Sequence, residues 1–121
     1  MRIYVICPVR GITESERSAI SAYVAGLEEE HDVYWPLRDT PQDDPIGVEI
    51  CRCNRQAIAD SDEVWVWWRA DSAGSKFDLG IAYAFHKPLR FIRQCVPTPH
   101  KSFENLMLHW QDHGPDAPSF R

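Results

Sequence analysis

Short apolar runs alternate along the chain with stretches in which apolar side chains recur every three or four positions. The runs are rich in Val, Ile and aromatic residues, which predicts β-strands at residues 2–7, 31–35, 63–68 and 89–92. The helical spacing is clearest at Ile20, Val24 and Leu27. Thr13 and Glu16 precede it with the spacing of a capping box, in which the hydroxyl caps the helix and the carboxylate reaches back. The predicted helices cover residues 14–28, about 47–60, about 76–85 and 102–112.

This order of elements predicts one α/β domain. Repeated strand–helix alternation forms right-handed crossovers, which give a parallel sheet covered by helices. The run EVWVWW at residues 63–68 has the nearly continuous apolar character of a strand buried on both faces. We expect a doubly wound, flavodoxin-like parallel sheet of four to five strands in the order 2-1-3-4. The domain spans residues 1–121, and its tail at 114–121 is expected to be loose.

The predicted topology places ligands at one edge of the sheet. Doubly wound sheets bind ligands beyond the carboxyl ends of the strands, where the strand order reverses. For the order 2-1-3-4 this point lies between the first and third strands, where loops at residues 7–11, 36–47 and 69–75 meet. The middle loop holds three prolines and is long for a compact domain, which is typical of functional loops. Helix N-termini near these loops favour an anion, although the sequence contains neither GxGxxG nor a Walker A pattern.

The charge balance narrows the classes of partner. Thirteen Lys and Arg residues against eighteen Asp and Glu give a net charge of −5, which argues against polymeric nucleic acid as a partner. Arg accounts for ten of the thirteen cations, and its guanidinium suits bidentate contact with phosphate or carboxylate. A small anionic ligand therefore fits the composition. No apolar run reaches the length of a membrane span, and the N-terminal run is too short for a signal peptide, so we expect a cytoplasmic protein that does not bind membranes.

The cysteines and histidines lack the spacing of a metal site. Cys51 and Cys53 do not have the two-residue gap of common zinc ligands. His109 and His113 can share one helix face, but His100 and the cysteines add no further fitting spacing. Reduced cysteines and a solvated C-terminal helix are the simpler interpretation. We expect no metal and no cofactor.

Asp78 is the sharpest chemical signal. It lies in line with Ile81, Ala82 and Phe85 on the inward face of the third long helix, where an unpaired charge is costly. One interpretation is structural, because Ser75 and Asp78 have capping-box spacing and a carboxylate stabilises a helix N-terminus. The other is chemical, because a carboxylate over the point where the strand order reverses can attack or protonate a ligand.

Three other side chains leave similar alternatives open. Asn54 lies mid-helix on an inward face, where it either hydrogen-bonds a neighbouring strand or loop or orients a sugar hydroxyl or the Asp78 carboxylate. Trp68 ends its strand and is either core or a stacking surface for a base or sugar. Tyr4 in the first strand is either core or part of the site.

Three segments carry a family resemblance. They read SAGSKFDLG and IAYAFHKP at residues 72–80 and 81–88, YVICPVRG at residues 4–11, and DEVWV at residues 62–66. Over residues 2–93 the chain resembles the nucleoside 2-deoxyribosyltransferase superfamily, which includes the 2′-deoxynucleoside 5′-phosphate N-hydrolases. The resemblance implies an enzyme that breaks the bond between a sugar and its base.

The resemblance also implies roles for particular residues. Asp78 takes the place of the family's nucleophilic glutamate, which attacks the anomeric carbon of the sugar, and Tyr4 takes the place of the tyrosine that positions it. Asn54 matches a family aspartate. The Pro8–Gly11 backbone and Ser72 match the elements that bind the 5′-phosphate. Counting the neighbouring positions and the long loop, the expected substrate-binding residues are Cys7, Pro8, Val9, Arg10, Gly11, Asp39, Trp68, Ser72 and Gly74.

Two positions depart from the family pattern. Asp78 is one methylene shorter than glutamate and must approach the sugar more closely, and a misplacement of about 1 Å can lower a rate by about 100-fold. Asn54 cannot act as a general acid or base. Protonation of the leaving base then falls to water, to the base itself, or to a loop acid such as Asp39, Asp43 or Asp44.

The sequence therefore predicts two functions of different classes. The first is an enzyme that cleaves or transfers the N-glycosidic bond of a nucleoside or nucleoside 5′-monophosphate, and Arg10, Gly11 and Ser72 favour the phosphorylated substrate. The second is a nucleotide-binding module on the same fold without turnover. An interaction protein with exposed tryptophans is a third alternative. The resemblance also implies a homodimer.

Overall fold

The computed structural model describes residues 1–119, which form four strands and five helices around one sheet. The strands are β1 (Arg2–Ile6), β2 (Asp32–Tyr34), β3 (Glu63–Trp67) and β4 (Leu89–Arg93). The helices are α1 (Glu14–Leu27), α2 (Pro36–Asp39), α3 (Val48–Asp60), α4 (Ala73–Ala84) and α5 (Phe103–His113). The strands pair in parallel in the order β2-β1-β3-β4. This confirms the predicted parallel α/β fold and strand order.

Strand pleating divides the core into two layers. In β1, Ile3 and Val5 face one layer, which contains the apolar side chains of α1. Tyr4 and Ile6 face the other layer, which contains apolar side chains from α3, α4 and α5. All four of these β1 side chains are almost completely buried. The central strand is therefore covered on both faces, and Tyr4 points towards the layer of α3, which carries Asn54, and α4, which carries Asp78.

Of the two predicted capping boxes, the first forms only in part and the second does not form. Thr13 caps α1, and its hydroxyl accepts the N–H of Glu16 at 3.1 Å, as predicted. The Glu16 carboxylate does not reach back, because it accepts hydrogen bonds from Trp67 and Arg69 instead. Helix α4 begins at Ala73, three residues before its expected start. Its cap is Ser72, so the predicted capping role of Ser75 is wrong.

The loop predicted at residues 36–47 contains the short helix α2. Pro36 occupies its first position, where a fixed φ favours a helix and a missing N–H costs nothing. The Asp39 carboxylate accepts the backbone N–H of Trp35 at 2.9 Å and so holds the start of this helix. Thr40, which follows, is 3% exposed. This part of the loop is therefore anchored to the core.

The C-terminal helix closes one side of the second layer. Ser102 caps α5, and Met107 and Trp110 pack against the sheet. Beyond the helix, the Asp116 carboxylate lies 2.8 Å from the imidazole of His86. Of the predicted loose tail, residues 120–121 lie outside the described residues. Within residues 1–119, no helix is long and apolar enough to cross a membrane.

Candidate active site

Asp78 contacts the central strand and does not cap its own helix. Because α4 begins at Ala73, Asp78 lies in the second helical turn, beyond the amides that a capping residue satisfies. The Tyr4 hydroxyl donates a hydrogen bond to Asp78 Oδ2 at 2.8 Å. Among the described residues, no backbone amide or cationic side chain binds this carboxylate. The structure therefore excludes the capping interpretation of Asp78.

The surroundings of Asp78 suit a nucleophilic carboxylate. Burial raises the pKa of Asp78 to about 6, and the hydrogen bond from Tyr4 offsets part of this increase. Burial and the neighbouring Asp78 charge raise the pKa of Tyr4 far above its usual range, so this hydroxyl keeps its proton and remains a donor. At neutral pH Asp78 is mostly ionised, yet one hydrogen bond is its sole compensation among residues 1–119. A half-buried carboxylate with a raised pKa and a single polar partner is a candidate functional group.

The raised pKa gives a stability prediction. A folded-state pKa of about 6 against 3.8 for a free carboxyl means that folding favours the protonated form of Asp78. The stability associated with this group is present below about pH 4 and is lost as the pH rises through 6. Asp78→Asn keeps an acceptor for Tyr4 without the charge. We expect this variant to be more stable than wild type by up to about 3 kcal/mol at pH 8 and about equally stable at pH 4.

Urea unfolding of both proteins at the two pH values measures this difference. Tyr23→Phe, a change of a half-exposed aromatic residue on α1, serves as the comparison whose effect is the same at both pH values. A stability difference for Asp78→Asn that does not change between pH 4 and pH 8 would contradict the burial of an ionisable Asp78.

A second polar network lies beside the Tyr4–Asp78 pair. The ring of Tyr4 stacks on that of Tyr34, with centroids 5.6 Å apart and planes 9° from parallel. The Thr40 hydroxyl donates to Asn54 Oδ1 at 2.7 Å, so the 2.5 Å contact between the Tyr34 and Thr40 hydroxyls must have Tyr34 as its donor. These contacts connect α2, α3 and β2 and hold the Tyr34 ring against Tyr4.

Asn54 belongs to this network and makes no hydrogen bond to Asp78 among the described residues. It is 8% exposed, and its carbonyl oxygen is satisfied by Thr40. Of the two interpretations left open by the sequence, the structure supports the hydrogen bond to a loop. Sequence reasoning missed both Tyr34 and Thr40. For Thr40 the reason is that a threonine between prolines in a predicted loop gives no sign of burial.

The loop acids Asp39 and Asp44 do not suit proton donation. Burial tends to raise the pKa of Asp39, but hydrogen bonds from Arg38 and from the Trp35 N–H hold it below its usual range. Backbone amides at the start of α3, that of Gly47 first, lower the pKa of Asp44. These contacts favour the charged form of both carboxyls, which makes neither of them a favourable proton donor to a leaving base.

In the loop after β1, the cysteine side chain is buried, whereas several backbone amides have no hydrogen-bond acceptor. Cys7 Sγ accepts the indole N–H of Trp35 at 3.0 Å inside the core, and burial raises the pKa of the thiol to about 12. Pro8 is buried, Val9 is half-buried, and the Arg10 side chain is exposed. Within residues 1–119, the amides at positions 9–12 donate to no acceptor. Backbone amides without an internal acceptor can donate to an anion.

The predicted binding residues at the start of α4 have other contacts. The Ser72 hydroxyl accepts the N–H of Ser75 at 3.3 Å and lies 2.8 Å from the Ser75 hydroxyl. A phosphate bound by Ser72 would have to share this hydroxyl with the helix cap or replace the capping contact. Gly74 lies exposed in the first turn. Trp68 lines a cavity of about 520 Å³ between α4 and α5, together with Tyr83, and Asp78 is not part of that lining. The stacking of Trp68 on a base or sugar therefore stays a prediction.

The residues considered for a metal site do not form one cluster. Cys51 and Cys53 lie exposed on α3. The His109 and His113 rings pack with centroids 4.7 Å apart on α5. Across residues 1–119, no group of three or more His, Cys, Asp or Glu side chains is arranged to hold a metal ion.

Comparison with solved structures finds the same fold in two nucleoside-processing enzymes. A 2-deoxyribosyltransferase from the psychrotolerant bacterium Bacillus psychrosaccharolyticus superposes with a TM-score of 0.65 at 18% identity, over 81% of this chain and 77% of that one. A CMP N-glycosidase from Clostridium botulinum superposes with a TM-score of 0.58 at 20% identity, over 75% of this chain and 67% of that one. No protein-family model and no curated protein sequence matches the chain. The structural likeness confirms the fold that the sequence resemblance implied.

Proposed function

We propose that this protein cleaves or transfers the N-glycosidic bond of a nucleoside or nucleoside 5′-monophosphate, with Asp78 as the nucleophile. One observation carries the proposal: a half-buried carboxylate that is held by the Tyr4 hydroxyl at 2.8 Å and is compensated by no cation among the described residues. The fold adds support, since the two similar structures are named a 2-deoxyribosyltransferase and a CMP N-glycosidase.

The proposed reaction has two displacement steps. An Asp78 oxygen attacks the anomeric carbon, an ester bond to the sugar forms, and the bond to the base breaks with its electron pair going to the base nitrogen. Water, or a second base in the transfer reaction, then attacks the same carbon and releases the carboxylate. Two inversions give net retention at the anomeric carbon, the established logic of retaining glycosidases. Tyr4 holds the attacking group throughout and donates its hydrogen bond again to the carboxylate that is released.

The leaving base receives its proton from water, or it is already protonated before the bond to the sugar breaks. Asn54 has no acidic proton, and Asp39 and Asp44 are ionised at neutral pH. The absence of a proton donor among these positions also supports a second candidate function, a nucleotide-binding module without turnover. Recovery of intact nucleotide from a protein that shows a ligand-induced thermal shift would identify this second function.

Incubation with a panel of substrates separates the two functions. The panel pairs each deoxynucleoside and ribonucleoside with its 5′-monophosphate, alone and with a second free base, and chromatography follows the released or exchanged base. We expect free base from at least one monophosphate. Intact substrate across the whole panel, with and without an acceptor base, would rule out the enzyme.

We further propose that the protein acts in the cytoplasm as a homodimer. Phe77 and Tyr83 on α4 and Phe85 just after it are 59%, 43% and 42% exposed, which leaves apolar side chains for a partner to cover. We expect light scattering coupled to gel filtration to give twice the chain mass of 14.0 kDa at micromolar concentration. The mass of a single chain at every concentration tested would contradict the dimer.

A further inference from the structure

Arg69 joins the two loops that flank the proposed phosphate site. It lies just beyond the carboxyl end of β3, with its side chain 21% exposed. Its guanidinium donates through Nη2 to the carbonyl oxygen of Arg10 at 3.1 Å and through Nη1 to that of Gly11 at 3.5 Å. A side chain from the loop after the third strand thus holds the backbone of the loop that follows the first strand.

Two carboxylates hold the guanidinium in place. Arg69 Nη1 donates to Glu16 Oε1 at 2.8 Å, and Nε donates to Asp71 Oδ1 at 2.6 Å. The Glu16 side chain is 13% exposed and also accepts the indole N–H of Trp67 at 3.2 Å. These anionic partners balance the charge of Arg69, and its N–H groups are largely engaged. Its main effect is therefore on the position of the loop.

The contact fixes the direction of the loop amides. In a planar trans peptide the C=O and N–H point in opposite directions. The carbonyls of Arg10 and Gly11 face Arg69, so the N–H groups of Gly11 and Ile12 point away from it. Gly11 has a φ of 73°, a left-handed conformation that glycine adopts without strain. Neither N–H has an acceptor within residues 1–119.

We propose that Arg69 is a positioning residue that sets the preference for a 5′-phosphate. By holding two consecutive carbonyls of the loop, it keeps the amides of Gly11 and Ile12 turned away from its own guanidinium, where they can donate to phosphate oxygens together with the exposed Arg10 guanidinium. The proposal rests on the proposed function and assigns the phosphate end of its substrate. Arg69 acts through the loop and does not touch the reacting atoms.

Arg69→Lys tests the geometry separately from the charge. An ammonium cannot bind two carbonyls and two carboxylates at once, so we expect the loop to lose its fixed orientation. The expected result is a loss of about tenfold or more in kcat/KM for a nucleoside 5′-monophosphate, against less than about threefold for the unphosphorylated nucleoside. Arg90→Lys is the matched control, because Arg90 also pairs with a glutamate and packs on Trp65 but lies on β4 away from the loop.

Equilibrium binding keeps this test independent of turnover. In the Asp78→Asn protein, calorimetry compares the Kd of a nucleoside 5′-monophosphate with that of the nucleoside, before and after Arg69→Lys. A reduced ratio between the two ligands supports the role of Arg69 even if the wild-type enzyme releases no base, in which case the chemistry alone fails. An equal loss for both ligands, full retention of the preference in Arg69→Lys, or no phosphate preference in the starting protein would each overturn the proposal.

Glu16, which pairs with Arg69, provides a second variant. Glu16→Gln removes the charge that holds the guanidinium and should weaken the preference for the phosphorylated ligand. Because both residues act through one contact, we expect the double variant to lose no more preference than Arg69→Lys alone. Fully additive losses would overturn the shared role.

Discussion

Replacing Asp78 with asparagine is expected to lower the release of free base by about 1,000-fold or more, since removal of a covalent nucleophile commonly has effects of this size. The amide has nearly the shape of the carboxylate and can accept the hydrogen bond from Tyr4. It cannot form the ester bond to the sugar. The measurement is the initial rate of base release under saturating substrate, followed by chromatography.

A carboxylate elsewhere on the surface gives the matched comparison for Asp78. Asp112 lies exposed on α5, and Asp112→Asn removes one negative charge without touching the site. We expect this variant to retain the wild-type rate. If Asp78→Asn folds normally and keeps a rate within about threefold of wild type, the proposed nucleophile is wrong.

Tyr4→Phe is expected to slow the reaction by about 10- to 100-fold at pH 7, because hydrogen bonds to charged groups contribute about 1.5–3 kcal/mol. Its signature is a change in pH dependence. Tyr4 provides the hydrogen bond that offsets the effect of burial on Asp78, so its loss raises the pKa of the carboxyl further. The rising limb of kcat/KM, expected near pH 6 in the wild type, should then move to higher pH.

A purely structural role for the Tyr4 hydroxyl would lower the rate without moving this limb. Tyr23→Phe is the control, since Tyr23 lies half-exposed on α1 and packs against Trp65. We expect its pH profile to coincide with that of the wild type. An unshifted limb in Tyr4→Phe would contradict the electrostatic coupling between Tyr4 and Asp78.

The strand order could be predicted because it depends on local pattern and on general rules of chain topology. Each strand contains a short segment rich in apolar residues, and the crossover rule leaves few arrangements for alternating strands and helices. The start of α4 was harder to predict, because serines at positions 72 and 75 both have cap-like spacing. The structure uses Ser72, and this shift removes Asp78 from the first turn and changes the interpretation of its carboxylate.

The polar contacts of the site join residues that are distant in sequence. Tyr4 and Asp78 are 74 positions apart, and Glu16 and Arg69 are 53 apart. The family resemblance predicted the first contact, whereas no pattern in the sequence indicates the second. Thr40 reaches Asn54 because the short helix α2 turns the loop inwards. Such contacts are set by tertiary packing and are not visible in the periodicity of a single chain.

The covalent intermediate offers the most direct measurement of the central claim. The protein is mixed with a substrate that yields free base, quenched in acid during turnover, digested and analysed by peptide mass spectrometry. The account predicts a sugar or sugar-phosphate adduct on Asp78, absent from the Asp78→Asn protein, and retention of configuration at the anomeric carbon. Base release with an inverted sugar product and an unmodified Asp78 would contradict it.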